Sequence, residues 1–229
     1  MDATHVVLLV AVAFFLAIHF LVSGTRLRGI LVGALGEGVY LGLFSLASAA
    51  GLAWVVWAYG AATTQPLWNS VGFRHLALVL MALAVPLAVG GLTAKNPTAA
   101  RQEKAVGAAA AKGFVAITRH PLMTAIGLWA LAHLLALGTV DGLVFFGGLL
   151  VLAWLGPLLI DAKRRRQDPA RWGEFAARTS YAPFVALLQG RNRLSMKDLG
   201  WWRLGLSVAL FAVFVWLHPE VIGPTVWPG

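Results

Sequence analysis

The 229-residue chain contains no cysteine. That absence excludes disulfides, thiolate zinc sites, iron–sulfur clusters, c-type haem attachment and thiol nucleophiles together. Charge is also scarce, at 12% of residues, and acid is the scarcer sign: 9 Asp and Glu against 18 Lys and Arg. What fills the chain instead is apolar, 59% hydrophobic with a mean hydropathy of +0.79. A water-soluble fold of this length has no surface to spare for so much apolar area, so the composition is that of a membrane protein.

Six stretches are long and apolar enough to cross about 30 Å of hydrocarbon, which takes about 20 helical residues. They run from Thr4 to Ser23, Val39 to Gly60, Phe73 to Leu92, Pro121 to Leu137, Leu143 to Ile160 and Trp201 to His218. Inside a bilayer the backbone must satisfy its own hydrogen bonds, so these runs read as helices. The expected fold is an all-α polytopic bundle of about six transmembrane helices in one domain spanning residues 1–229. The first span lacks a preceding basic segment and a following small-residue cleavage site, so it reads as an anchor and not a cleaved signal.

The basic residues are confined to alternate loops. Between spans one and two lie Arg26 and Arg28; between three and four lie Lys95, Arg101, Lys104, Lys112 and Arg119. Ten more follow from Lys163 to Arg203, so 17 of the 18 fall on one side and Arg74 alone falls on the other. Such clustering excludes a nucleic-acid surface and predicts a bacterial inner-membrane protein with cytoplasmic basic loops and both termini periplasmic. The partners expected are membrane lipids and a hydrophobic small molecule; oligomeric state is open. Within the longest basic segment, Asp168 and Pro169 form a helix start, predicting a short interfacial helix over Pro169 to Arg178. The Ala105 to Lys112 run reads as an extension of span four. The glycine-rich Gly33 to Gly38 follows a span and no strand, so it reads as a turn and not a dinucleotide loop.

Ionisable groups inside spans are the default candidates for chemistry. His19 lies near the inner end of span one, His120 at the inner start of span four and His133 toward that helix's outer end. His5, His75 and His218 sit at outer span ends, where an imidazole needs no functional explanation. Asp161 closes span five. With no thiol available, imidazole is the strongest remaining haem ligand, and two His on facing helices are a common haem b arrangement. The same imidazoles can instead hydrogen-bond between helices. No close His/Asp/Glu cluster suggests zinc, and no catalytic group is identifiable.

The segment Ile117-Thr118-Arg119-His120-Pro121, continuing as LMTAIGLWALAHLLALG to Gly138, resembles the core of the NnrU family, which includes the 15-cis-zeta-carotene isomerases. Ser23 to Ser48 and the later FFGGLLVLAWLGPLLIDAKRRR carry the same resemblance. In the isomerase branch it implies haem b held by His133 and a first-helix His, with His19 the nearest match, and a cis double bond of a carotene as the target. The cofactor-binding candidates are therefore His133, His19, His120 and Arg119, with His133 and His19 as iron ligands. The isomerases place their first-helix His directly before the Ser-Gly pair, whereas His19 stands four residues before Ser23; their Cys ahead of the fourth-helix His is Ala130 here. The bacterial NnrU branch is associated with nitrite and nitric oxide metabolism, in denitrification, and the lack of Cys favours that branch.

Depth bears on the ligand pair. At about 1.5 Å rise per residue, His19 and His133 differ in depth by about 15 Å, while His120 lies level with His19. An inner haem would pair His19 with His120 and turn its propionates to Arg26, Arg28 and Arg119. An outer one would pair His133 with His75 or His5. Arg119-His120-Pro121, with Trp172 to Thr179 and Pro183-Phe184, is also similar to isoprenylcysteine carboxyl methyltransferases and sterol reductases. That second resemblance implies an S-adenosylmethionine-dependent methyltransferase whose polar contacts are Arg119, His120 and Glu174. A non-catalytic haem-binding or assembly protein is the third reading.

Overall fold

The computed structural model describes residues 2–99, 102, 107–223 and 226. It is helical throughout, without a strand among the described residues. Asp2 caps α1 (Ala3–Ala17), its carboxylate accepting from the Thr4 and His5 amides, and those bonds with the Thr4 hydroxyl hold it well below the usual carboxylate range. α1 then widens into a π-helical turn, Ile18–Ser23. α2 (Leu27–Leu35) and α3 (Glu37–Ala61) follow, joined by Gly36 alone. The turn expected over Gly33 to Gly38 is thus one residue wide, because Gly36 takes the left-handed φ of 80° that ends one helix and starts the next. α4 is Val71–Thr93 and α5 the short Phe114–Ile117.

α6 (Pro121–Leu137) has the boundaries the sequence predicted. α7 (Val140–Gln167) is longer than its apolar run, since the helix continues through Lys163 to Arg166 once it leaves the hydrocarbon. α8 (Pro169–Arg178) starts at Asp168, whose side chain accepts from the Arg171 amide. Its apolar face does not lie in lipid: Trp172 and Phe175 are buried against Ala111 and Val115. α9 (Val185–Leu188), α10 (Met196–Leu199) and α11 (Trp201–Val221) complete the chain. Of the Ala105 to Lys112 run, residues 105 and 106 lie outside the described residues. Ala108–Ala110 forms a separate 3-10 turn, so the run does not extend α6.

Among the described residues, five helices are long and apolar enough to cross a membrane: α1 with its π turn, α3, α4, α7 and α11. α6, at 17 residues, is shorter. It is also the central helix, flanked by α4 on one side and α7 on the other. The six pack as a row in the order α3, α1, α7, α6, α4, α11, basic ends together. A helix enclosed by protein need not span the hydrocarbon alone, which is why the shortest sits in the middle.

Close packing at that centre rests on small residues, as is usual where lipid offers no hydrophobic drive for helix association. At Gly91 of α4 a Cβ would lie 2.6 Å from the backbone nitrogen of Leu122 in α6. Gly91→Leu is expected to force α4 and α6 apart and lower stability by about 1–3 kcal/mol, on the usual scale for overpacking. The thermal midpoint of the detergent-purified protein measures it, and an unshifted midpoint would mean the two helices are not in this register.

Candidate functional site

The six imidazoles do not gather at one place; His133 and His218 alone share a ring contact among the described residues. His133 of α6 has its Nδ1 2.8 Å from the Trp129 carbonyl oxygen, one turn back on the same helix. Its ring stacks on Phe146 of α7 with centroids 5.0 Å apart, and Trp129 closes another side at the same distance. The third neighbour is His218 of α11, 6.4 Å away between ring centroids. Sequence reasoning set His218 aside as an interfacial residue; the fold makes it the partner ring of His133. Hydropathy could not have shown this, because α6 and α11 meet through the tertiary arrangement of the row. With Nδ1 donating to a carbonyl, Nε2 of His133 is left as the nitrogen with a lone pair, the state in which imidazole ligates metal.

His19 sits at the other end of the bundle, in the π turn. Its Nδ1 bonds the Phe15 carbonyl at 2.8 Å, and its ring lies 4.5 Å from Phe15 and 5.5 Å from Phe44 of α3. Among the described residues it shares no ring contact with His133 or His120. His75 bonds Val71 in its own helix. His5 is buried and bonds Asp2. No group of three or more His, Asp or Glu capable of holding a metal ion occurs among the described residues.

The other cluster joins Arg119 and His120 through a residue the sequence left unpaired. Pro121 opens α6, and a residue before proline is driven out of the helical region, so His120 adopts φ −122°, ψ 65°. That places its Nε2 2.7 Å from Oδ1 of Asp161 on α7, and the other carboxylate oxygen of Asp161 accepts from Arg119 Nη1. Arg119 Nε donates to the Thr179 hydroxyl at 3.0 Å, and Nη2 reaches the Ala176 and Thr179 carbonyls, both at 3.3 Å. The guanidinium also lies 5.5 Å from the Trp172 ring of α8. All three of its nitrogens are therefore engaged by protein groups. Glu174 is exposed on α8 and is not part of this cluster.

The surrounding segment is tied to the same spot. The Arg119 amide donates to Ser180 O at 2.8 Å, the Thr118 hydroxyl to Tyr181 O at 3.0 Å, and the Phe184 amide to Ile117 O at 2.7 Å. Tyr181 donates its hydroxyl to Trp154 O, and its ring lies 6.3 Å from that of His120. Burial, with the Asp161 carboxylate adding to it, pushes the Tyr181 phenol above its usual range, so it stays a donor. His120 is buried, and its Nδ1 has no hydrogen-bond partner among the described residues. With a carboxylate facing it, Nε2 is the donor in that bond.

This cluster is a latch before it is anything else. Removing one partner of a buried ion pair strands the other charge, at a cost of about 3–5 kcal/mol. Asp161→Ala is expected to destabilise the protein on that scale and to free α8, read as protease cleavage within residues 169–191 that the parent resists. An uncleaved, equally stable variant would show that Arg119 finds another anchor.

Two comparisons are negative: no curated protein and no solved structure matches the chain. The family model described as NnrU protein matches residues 7–226, nearly the whole length, and takes in both clusters. The chain belongs to the NnrU family.

Proposed function

We propose that the protein is a haem b-binding integral membrane protein whose iron is held between α6 and α11 by His133 and His218. One observation carries the reading: two imidazoles on different helices with centroids 6.4 Å apart. Two metal–nitrogen bonds of about 2 Å plus two ring radii span roughly 6 Å. The Nδ1 bond of His133 to Trp129 supports it, as does the aromatic wall of Phe146 and Trp129. Attachment would be non-covalent, for want of cysteine. His218 rides on α11, of whose most apolar stretch only 6% is buried, so α11 is the helix that can yield to admit a flat ligand from the lipid side.

Haem, once bound, supplies a redox-active iron. Two activities suit such a group in this family: isomerisation of a cis double bond in a carotenoid-like lipid, and a part in nitrite or nitric oxide metabolism. The chain's own residues bind and orient the group and keep water from it. The methyltransferase reading draws less support, because the Arg119 donors it would use are already engaged. By its charge asymmetry the basic end faces the cytoplasm and both termini face the periplasm.

Protein purified from haem-sufficient cells is expected to show a Soret band, reduced by more than half in His133→Ala and in His218→Ala and retained in His19→Ala and His120→Ala. A colourless parent protein would end the haem reading; a band lost in His19→Ala but kept in His218→Ala would move the second ligand to α1. Orientation is open to thiol labelling, since any introduced cysteine is the sole one. Thr64→Cys in intact cells should react with an impermeant maleimide and Arg178→Cys only after permeabilisation, and the opposite pattern would invert the topology.

A further inference from the structure

At the basic end, away from the His133 region, a cleft of about 690 Å³ lies between the segment that follows the π turn and the last turns of α7. One wall carries Thr25, Arg26 and Arg28; the other carries Lys163, Arg166 and Gln167. Among the described residues, no carboxylate lines it. Basic residues on one side of a membrane follow from topology, but topology does not make cations from two separate elements face one another across a shared cavity. Like charges held so repel unless an anion lies between them.

Local structure holds the walls in place. The Gly24 position comes so near α7 that a Cβ there would lie 2.5 Å from Leu159 Cδ1, which fixes the distance between the walls. The Thr25 hydroxyl donates to Leu21 O and accepts from the Leu27 amide, setting the turn. Arg28 is braced from behind by Glu37 at 3.0 Å and by the Tyr40 ring at 5.3 Å, both on α3 and neither in the cleft lining. Because α2 begins at the cleft, its first amides add positive potential there.

Apolar surface continues upward from the charges. Leu155 lies eleven residues, three helical turns or about 16 Å, before Arg166 on the same face of α7. Leu155, Leu158, Leu27 and Ile30 are all exposed. We propose that the cleft binds a phosphate ester, and that the exposed leucines above it accept an apolar tail, as for the head group of an anionic lipid. Basic pockets between helices at headgroup depth recognise phosphates through such charge-assisted bonds.

The test returns the purified protein to nanodiscs of phosphatidylcholine doped with phosphatidic acid and measures co-retained lipid by native mass spectrometry. The parent should favour phosphatidic acid, and the Arg26→Gln/Arg166→Gln double variant should lose that preference by about tenfold or more. Arg178→Gln/Arg193→Gln, which removes the same charge elsewhere on the basic end, should keep it. Equal loss in both double variants, or no preference in the parent, overturns the site. Glycerol 3-phosphate separates the sources: displacement of the lipid at millimolar concentration assigns the cleft to a soluble phosphate ester, and no displacement assigns it to the lipid. Haem content should be unchanged in Arg26→Gln/Arg166→Gln; a parallel loss of haem would mean that the cleft holds haem carboxylates, and would overturn the proposal.

Discussion

A single carboxylate, that of Asp161, bonds both Arg119 and His120 where α6 and α7 leave the apolar layer. Arg119 bonds Asp161, then uses its remaining donors to hold the C-terminal end of α8 and residues 176–179, while its amide holds residue 180. Charge-assisted bonds of this kind are strong only while all partners are present, because the desolvated guanidinium has no water to fall back on. The latch therefore fixes α6 against α7 at one end. The glycine contacts between α4 and α6 continue that fixed block across the row.

A rigid middle leaves the outer helices of the row to vary. α3 and α11 are its two edges, and both are largely exposed along their lengths. Each edge contributes to one of the two regions argued for ligands: α11 brings His218 to His133, and α3 braces Arg28 beside the cleft through Glu37 and Tyr40. Ligand sites assembled from one fixed helix and one less enclosed helix can open without disturbing the core.

Much of the architecture was legible because bilayer physics writes it into composition. Span length, one-sided charge and the Asp168-Pro169 helix start are local signals, and α6 and α8 have the boundaries predicted from them. What stayed hidden was non-local. The continuation of α7 through its arginines breaks the apolar run without breaking the helix. α2 was invisible because nine residues beside a glycine look like a turn. Asp161 was seen only as a helix end, although by residue count it lies level with Arg119 and His120; that coincidence was the available signal. His218 carried none, since its meaning depends on α11 packing beside α4 and reaching α6.

For the haem site proposed above, the choice of an imidazole to pair with His133 turns on the same distinction between fixed and yielding helices. His19 belongs to α1, which is packed between α3 and α7 and carries buried Leu8, Ala11, Val12 and Phe15 along that contact. Bringing its imidazole to the level of His133 would mean sliding α1 by something near 15 Å along its axis, about ten residues of rise, and stripping those side chains from their partners. Loss of that close packing, together with the apolar turns such a slide would push out of the bilayer into water, opposes it. His218 already lies beside His133 on a helix with little buried surface to lose. On energetic grounds the row can close a two-imidazole site across α6 and α11 by a small shift of its outermost member, whereas a site across α1 and α6 would have to dismantle the core.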